Sequence, residues 1–138
     1  MRKIALSISE IKDIEKREFL RLGNSFKLME QAGKACAKQI AKIYKKNRFI
    51  VICGPGNNGG DGLILSSCLN EHGKEVDLYC LGKNNYKGDS LKAYKKNKLK
   101  KKPLEELNTK QDAVIVDALF GIGLNKKIEG IFKDCVNK

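Results

Sequence analysis

A short apolar run that ends in a glycine-rich turn constrains the fold of this chain more than any other feature. Residues 49–53, Phe-Ile-Val-Ile-Cys, are continuously apolar and partly β-branched, which is typical of a strand buried on both faces. A Gly-Pro-Gly turn at residues 54–56 ends the run, and a helical apolar pattern follows from Leu63. Because a second apolar stretch, residues 76–81, comes next, these segments predict a βαβ unit with parallel strands.

The rest of the chain extends this alternation of helices and strands. The expected elements are a helix from a possible N-cap at Ser9 to a stop at Gly23, a helix from Asn24 or Ser25 to residues 45–47, a helix near residues 90–98, a third strand at residues 113–117 and a helix over residues 128–136. Together they predict a Rossmann-like three-layer α/β/α sandwich with N-terminal helices and a mainly parallel sheet of three strands.

Chain length and apolar patterning limit the domain organisation. A length of 138 residues predicts a single domain. No apolar run approaches the roughly 20 residues that cross a bilayer, and the N-terminus is too weakly apolar for a signal peptide, so we expect a cytoplasmic protein without membrane association. Doubly wound sheets normally have about five strands or more, so three predicted strands indicate that the C-terminal strands of the domain lie beyond residue 138.

The charge balance bears on the choice of partner. A formal net charge of +12 favours anionic partners in general. The excess lysine is concentrated at residues 95–102, which lack the interleaved aromatic residues of a platform for single-stranded nucleic acid. Because blocks of like charge are usually solvated surface, nucleic-acid binding is not expected.

The cysteines predict neither a metal site nor a reactive thiol. The five cysteines are far apart, with no CxxC pair and no histidine spacing that could build a zinc site, which favours a reducing compartment. Cys53 and Cys80 lie in apolar runs, where a thiol usually serves as a small core residue. Neither a histidine base nor a second resolving thiol is expected nearby.

The turn after the first strand, residues 53–62 (CGPGNNGGDG), is the strongest local signal for a binding site. Its position between a buried strand and a helix N-terminus suits a phosphate or a polar cofactor, because glycines allow a ligand close to the backbone. Asn57, Asn58 and Asp61 add amide and carboxylate groups, which suit a polar neutral group or a weakly held cation. Alternatively, the two asparagines occupy left-handed turn conformations and Asp61 caps the helix.

The same turn argues against a dehydrogenase. Gly54, Gly56 and Gly59 spell G-x-G-x-x-G, which binds dinucleotides when an acidic residue ends the next strand about 20 residues later. That strand ends instead in Cys-Leu-Gly-Lys at residues 80–83, and Asp77 lies within the strand, where its side chain would point into a face of the sheet. Hydride transfer is therefore a weak hypothesis.

A second polar turn follows the third predicted strand at residues 117–124. Since carboxyl ends of parallel strands meet at one edge, Asp117 is expected to point into the crevice beside Asn58, with Gly121 and Gly123 keeping the loop close to a ligand. A carboxylate and an amide oxygen could hold a cation jointly. Alternatively, Asp117 accepts backbone N–H bonds within its own turn.

Three separated motifs carry a resemblance to a known family. They are Leu-Met-Glu-Gln-Ala-Gly at residues 28–33, the glycine-rich turn at residues 54–62 and Asp-Ala-Leu-Phe-Gly-Ile-Gly-Leu at residues 117–124. In order and spacing they resemble the NAD(P)H-hydrate epimerase family, also called the YjeF N-terminal domain, and the resemblance spans residues 9–137.

The resemblance implies an isomerase of nicotinamide nucleotide repair. It implies epimerisation of the R and S forms of hydrated NADH and NADPH, so that a stereospecific dehydratase, as a fused domain or a separate protein, can recover both. The implied substrate contacts are Asn57, Asn58, Gly59, Gly60, Asp61, Gly121, Ile122, Gly123, Leu124, Asn125, Lys126 and Lys127. Asn58 and Asp117 are the implied ligands of a potassium ion, which prefers oxygen donors.

The catalytic acid or base is not identified by the resemblance. The family continues with a further strand that ends in an acidic motif, the natural candidate for moving a proton, whereas this sequence ends at Lys138. Asp61 and Asp117 are the candidates within the chain, and Glu30 is expected to brace the loops. Without the further strand, the chain is expected to bind substrate and not to turn it over.

Two other implications concern partners and an alternative function. The amphipathic N-terminal helices could form a homodimer face, as in relatives. A non-catalytic nucleotide- or RNA-binding scaffold of the same fold is the alternative function; it predicts salt-sensitive RNA binding that survives Asn58→Ala and Asp117→Ala.

Overall fold

A parallel sheet of four strands forms the centre of the computed structural model, which describes residues 5–138. The strands are β1 (Arg48–Cys53), β2 (Glu75–Cys80), β3 (Lys101–Lys102) and β4 (Val114–Ala118), in the spatial order β3-β2-β1-β4. The helices are α1 (Ile8–Leu22), α2 (Ser25–Ile43), α3 (Asn57–Glu71), α4 (Gly88–Lys96) and α5 (Gly130–Val136), with 3-10 turns at Lys83–Asn85 and Leu104–Glu106. The predicted Rossmann-like α/β fold with its βαβ unit is confirmed.

Strand β1 is buried on both faces, as its continuous apolar run predicts, and it separates two cores. Phe49, Val51 and Cys53 pack with α2, α3 and α4 on one face of the sheet. Ile50 and Ile52 pack on the other face with α5 and the segment after β3. Because β2 and β4 flank β1 in parallel, the turns after β1 and β4 lie at the same edge of the sheet.

The expectation of three strands is wrong, because the lysine-rich segment contains β3. Lys101 pairs with Leu78, and Lys102 pairs with Tyr79 of β2. The Lys102 ammonium lies 2.6 Å from the carboxylate of Asp77, and Lys96 forms an ion pair with Glu30 at 2.9 Å. Part of the lysine block is therefore held against the protein. A two-residue strand without apolar alternation leaves no signal in the sequence.

Asp77 lies inside β2, as expected, and its side chain points into one face of the sheet. Arg48 contacts its carboxylate at 2.7 Å and Lys102 at 2.6 Å. Burial raises the pKa of Asp77, but hydrogen bonds from Lys102 and Arg48 outweigh burial and leave that pKa below its usual value. Asp77 therefore joins β1, β2 and β3 and is not placed to hold a ribose.

The start of the first helix differs by two residues from the prediction. Ser7, and not Ser9, is the N-cap of α1, because Glu10 lies three residues later and completes a capping box. The Ser7 N–H donates to the Glu10 carboxylate at 2.7 Å, and the Glu10 N–H donates to Ser7 Oγ at 3.3 Å. Gly23 ends the helix with a φ of 64°, as predicted.

All five cysteines are free thiols, and Cys53 is buried in the core as predicted. The expectation that no second thiol lies near Cys53 is wrong, because Cys80 is its register partner on the neighbouring strand β2. Elsewhere, His72 Nδ1 is 3.7 Å from Cys68 Sγ, one helical turn away. That ring nitrogen is closer to the Cys68 carbonyl oxygen, at 2.6 Å, and burial raises the pKa of the Cys68 thiol. Over residues 5–138, no helix is long and apolar enough to span a membrane.

Candidate functional site

A cavity of about 770 Å³ opens where the turns after β1 and β4 meet. Its wall comes from the N-terminus of α3, the segment between β4 and α5, one residue of α5 and two residues of α1. The lining residues are Ile11, Glu15, Pro55, Gly56, Asn57, Asn58, Asp61, Leu119, Phe120, Gly121, Ile122, Gly123, Leu124, Asn125, Lys126, Lys127, Ile128, Glu129 and Phe132. This volume and mixed lining are typical of a small-molecule site.

Two glycines of the first turn are required by close approach of backbone segments. A Cβ atom at Gly54 would collide with the Leu119 carbonyl, and one at Gly59 would collide with the Gly54 carbonyl. A Cβ at Gly60 would lie 2.6 Å from the Met29 side chain. Gly59 and Gly60, both expected substrate contacts, are buried packing positions and do not line the cavity.

Helix α3 begins directly at the cavity. Its N-cap is Gly56, which has no side chain to satisfy the free N–H groups of the first turn, and Asn57 is the first helical residue. Asp61 lies beyond this first turn, so it does not cap the helix, and no residue other than glycine between residues 5 and 138 has a positive φ. Both structural alternatives for this turn are therefore excluded, and the first-turn N–H groups and positive dipole end are available to an anion.

Asn58 joins the two turns. Its Nδ2 atom donates a hydrogen bond of 3.0 Å to the carbonyl oxygen of Phe120. A Cβ atom at Gly121 would lie 3.4 Å from the Asn58 Cβ, so the following loop passes directly over this side chain. The predicted meeting of the two turns is thus present in the structure.

Asp61 is a partly buried carboxyl group of the cavity wall. Burial, together with the negative charge of Glu15, raises the pKa of Asp61 to about 6. An acid with this pKa exchanges its proton near neutral pH, which is the property that general acid–base catalysis requires.

The structure does not bring Asp117 into the cavity. Asp117 is inside β4, opposite Ile52, and alternation puts its side chain on the face of Ile115 and away from α3. Its Oδ1 atom accepts a hydrogen bond of 2.9 Å from the Leu119 N–H, which is the structural alternative for this residue. The expected approach to Asn58 is wrong, because Asp117 pairs with Ile52 and alternation within β4 puts its side chain on the face of the sheet opposite α3.

The position of Asp117 also bears on the predicted potassium site. Asn58 and Asp117 offer the oxygen donors that a monovalent cation prefers, but only Asn58 lies at the cavity. Within residues 5–138 there is also no cluster of three acidic, histidine or cysteine residues that could hold a metal. The residues as arranged do not fit a shared potassium ion, and potassium binding stays a prediction.

The second loop supplies charge and apolar surface. All seven expected residues from Gly121 to Lys127 line the cavity. Ile122 and Leu124 expose apolar surface, while the rings of Phe120 and Phe132 pack together with centroids 5.3 Å apart. Lys126 and Lys127 provide the cationic side chains of the wall.

Sequence reasoning missed the contribution of α1 and of residues flanking the second loop. Ile11 and Glu15 lie one helical turn apart on α1, and Phe132 lies on α5. The apolar residues of α1 that recur at helical spacing, Ile11 among them, could have indicated that one face of α1 packs on the protein. They could not have indicated that this face lines the cavity. Glu30, the expected brace, forms an ion pair with Lys96 and does not line this cavity.

Comparison with known proteins shows the family to which the chain belongs. The family model for the YjeF-related protein N-terminus matches residues 25–138. The chain is 37% identical over 117 residues to an NAD(P)H-hydrate epimerase of Entamoeba histolytica, covering 78% of this chain and 50% of the relative. It is 33% identical over 126 residues to an NAD(P)H-hydrate epimerase of Elusimicrobium minutum, covering 79% and 56%.

A third relative is larger. The bifunctional NAD(P)H-hydrate repair enzyme Nnr of Thermofilum pendens is 31% identical over 142 residues, covering 94% of this chain and 27% of the relative. The chain spans about half the length of the two epimerases. On the family match, which includes both cavity-forming turns, the chain belongs to the family of YjeF-related protein N-termini.

Proposed function

We propose that this chain belongs to an NAD(P)H-hydrate epimerase, an isomerase that interconverts the R and S forms of hydrated NADH and NADPH in metabolite repair. The observation that carries the proposal is the hydrogen bond from Asn58 to the Phe120 carbonyl, which joins the two family-like turns around one cavity. The printed names of the relatives, NAD(P)H-hydrate epimerase, support it.

The cavity offers complementary groups for each part of such a nucleotide. The free N–H groups at the start of α3, with Lys126 and Lys127, suit the pyrophosphate. Ile122, Leu124 and the rings of Phe120 and Phe132 offer apolar surface to the flat rings of the ligand. A dinucleotide would therefore lie between the two turns, in contact with both.

Asp61 is the group of this chain that we propose for proton transfer. Of the two acids considered within the chain, Asp61 lines the cavity and Asp117 does not. With a pKa of about 6, Asp61 can hold or release a proton near neutral pH. A second acid, which the family resemblance implies, would act together with Asp61.

The partners and setting follow from the same proposal. The names of two bifunctional repair enzymes among the relatives support an NAD(P)H-hydrate dehydratase domain or protein as the partner. The exposed apolar residues Ile8, Ile14 and Phe19 of α1 support a homodimer. Free thiols at all five cysteines are compatible with the reducing cytoplasm.

Potassium dependence can be tested without assuming a geometry. If the protein binds potassium together with the nucleotide, the Tm of the complex with hydrated NADH is higher in KCl than in NaCl of equal concentration. Equal Tm values in the two salts would contradict the prediction.

Binding and turnover are best tested separately, because the chain spans about half of its epimerase relatives. Calorimetry would measure binding of hydrated NADH to the 138-residue chain. For turnover, residues 25–138 would replace the matching segment of the E. histolytica relative, and R-hydrated NADH would be supplied with an S-specific dehydratase. We expect NADH recovery above that of the dehydratase alone. No binding and no gain in recovery would overturn the proposal.

The RNA scaffold is disfavoured by the lysine block. Lys96 and Lys102 are paired with Glu30 and Asp77, so two positive charges of the block are offset by carboxylates. RNA binding at ~150 mM salt that persists in Asn58→Ala would favour the scaffold instead.

A further inference from the structure

The segment that follows β2 packs against the first turn of the cavity without lining the cavity itself. It comprises residues 81–90, from the end of β2 into the first turn of α4, and it lies outside the three family-like motifs. A Cβ atom at Gly60 would lie 3.3 Å from the Ser90 Cα atom, so α4 packs closely against the start of α3. None of residues 81–90 lines the cavity. An effect of this segment on a ligand must therefore pass through the turn.

Two buried hydroxyl groups of this segment bind backbone carbonyls of the turn. The Tyr86 hydroxyl donates to the Cys53 carbonyl oxygen at 3.1 Å, and the Ser90 hydroxyl donates to the Pro55 carbonyl oxygen at 2.7 Å. Tyr86 is 4% exposed and Ser90 is 2% exposed, so water has little access to either side chain. Because a buried hydroxyl without a partner costs free energy, these two contacts hold the segment and the turn together.

The Ser90 hydroxyl has one proton and two carbonyl acceptors within reach. Besides the Pro55 oxygen at 2.7 Å, the Lys87 carbonyl oxygen lies at 2.8 Å, and the Lys87 N–H donates to Ser90 Oγ at 3.4 Å. The contacts with Lys87 are local to the start of α4, whereas the contact with Pro55 joins residues 35 positions apart in the sequence. The contact with Pro55 is therefore the one that can fix the turn.

The peptide group between Cys53 and Gly54 is held on both sides by the sheet. Its carbonyl accepts from the Leu81 N–H at 2.9 Å as well as from Tyr86. Its N–H, that of Gly54, donates to the Ala118 carbonyl oxygen of β4 at 3.0 Å. The start of the turn is thus fixed between β2 and β4.

The peptide group between Pro55 and Gly56 is held on one side. Its carbonyl points to Ser90, and because the peptide is trans, the Gly56 N–H points in the opposite direction. Over residues 5–138, no hydrogen bond from this N–H is found. Pro55 and Gly56 both line the cavity. The Gly56 N–H is therefore directed away from α4 and is available to a ligand.

We propose that Ser90 and Tyr86 are positioning residues of the ligand cavity, which fix the first turn through the Pro55 and Cys53 carbonyls. Ser90 sets the direction of the Gly56 N–H. A hydrogen bond to the carbonyl also polarises the peptide group, which makes its N–H a stronger donor. The inference rests on the proposed function for the nature of the ligand, whose pyrophosphate would contact this turn.

The first test needs no ligand and measures amide hydrogen exchange in the 138-residue chain. Ser90→Ala and Tyr86→Phe each remove one hydrogen bond to the turn, so local opening should become easier and the Gly54 N–H should exchange about threefold to tenfold faster. Amide spectra of each variant verify that the fold is retained. Because the Cys53 carbonyl keeps its bond from Leu81, Tyr86→Phe leaves no acceptor unpaired and decides the outcome if Ser90→Ala misfolds.

Two matched controls remove hydroxyl groups that do not contact the turn. Ser66 is fully buried, and its hydroxyl donates to the Leu63 carbonyl oxygen at 2.8 Å within α3. Ser66→Ala should lower overall stability and leave the exchange of Gly54 unchanged. Tyr94, whose ring packs on Tyr86 at 4.8 Å, is the control for the tyrosine, and Tyr94→Phe should also leave it unchanged.

The exchange of Gly54 decides the proposal. Equal rates in wild type, Ser90→Ala and Tyr86→Phe would overturn it. An acceleration of the same size in Ser66→Ala would also overturn it, because the effect would then reflect general loss of stability and not the hold on the turn.

A second measurement separates this inference from the proposed function. In calorimetry with hydrated NADH, Ser90→Ala should raise the Kd about threefold to tenfold, whereas Ser66→Ala should leave it unchanged. In the coupled NADH-recovery assay of the grafted relative, Ser90→Ala should raise KM with little change in kcat, because the turn holds a part of the substrate that does not react.

The outcomes of the second measurement differ for the two claims. Failure of the wild-type chain to bind hydrated NADH would contradict the proposed function and leave the hold on the turn, as measured by exchange, intact. Binding with the same Kd in wild type and Ser90→Ala would contradict the role of Ser90 alone.

Discussion

The side-chain amide of Asn58 donates a hydrogen bond of 3.0 Å to the carbonyl oxygen of Phe120, and this contact joins two turns that are 62 residues apart in the sequence. One turn carries the N-terminus of α3, and the other carries the apolar and cationic wall of the cavity. The position of each turn therefore depends on the other.

Loss of this hydrogen bond should loosen the cavity more than it destabilises the fold. Asn58→Ala is expected to cost about 1 kcal/mol in the free energy of unfolding, the usual net contribution of one hydrogen bond. Binding of hydrated NADH should weaken by about tenfold or more, since the second loop is no longer held in place. Urea denaturation and calorimetry would measure the two effects. Asn70→Ala, on the exposed end of the same helix, is the control and should alter neither.

Two glycines of the first turn should respond very differently to a methyl group. Gly59→Ala places a Cβ atom against the Gly54 carbonyl, so we expect a loss on the order of 2–4 kcal/mol in the free energy of unfolding. Gly56→Ala meets no atom within 4 Å and should cost less than about 1 kcal/mol. Denaturant melts of the two variants check this. Equal losses would show that the turn is not packed as described.

Asp61 should make the protein less stable as pH rises toward neutrality, whereas an aspartate with a lowered pKa has the opposite effect. Its folded pKa of about 6 lies above the ordinary value of 3.8, so the folded state binds the proton more tightly. Stability should therefore fall as pH rises from about 4 to above 6, and the penalty persists at higher pH. Asp61→Asn should remove it, with a gain at pH 7 of about 1 kcal/mol after allowance for solvent screening.

The measurement is a comparison of Tm against pH for wild type and Asp61→Asn. A difference between the two proteins that grows from pH 4 to pH 7 is expected. If the two curves run parallel over this range, Asp61 is not the group that titrates.

The ion pairs of Asp77 should stabilise the sheet more than an exposed pair does. Asp77→Asn leaves Arg48 and Lys102 without their shared carboxylate and should cost about 1–2 kcal/mol in the free energy of unfolding. The pair of Lys46 with Asp112 is exposed, so Asp112→Asn should cost less than about 0.5 kcal/mol. Because the folded pKa of Asp77 is lowered, its contribution should be lost as pH falls below the ordinary range of aspartate.

The sequence was sufficient to predict the elements whose pattern is local. The continuous run from Phe49 to Cys53 gave β1, and the following glycines gave the turn and the start of α3. Strand β3 could not be predicted, because its two lysines pair with β2 through backbone bonds and through Asp77, neither of which leaves an apolar pattern. The number of strands was wrong for this reason.

The cavity was predicted in part. The errors in that prediction concern contacts between elements that are far apart in the sequence. Both turns line the cavity as expected, but Asp117 lies on the face of β4 opposite α3, away from Asn58. The face of a strand side chain depends on which neighbouring strand and helix cover it, and the local sequence of β4 does not give this. Glu15 was missed because the docking of α1 depends on the whole fold and not on the sequence of the helix.

The measurement that tests the central claim most directly is an amide chemical-shift titration of the 138-residue chain with hydrated NADH. If the two turns form one binding cavity, amides of residues 57–61 and of residues 121–127 should shift together, with the same apparent Kd, and in Asn58→Ala both sets should need about tenfold or more ligand. Shifts confined to one of the two segments, or saturation at clearly different ligand concentrations, would contradict the account.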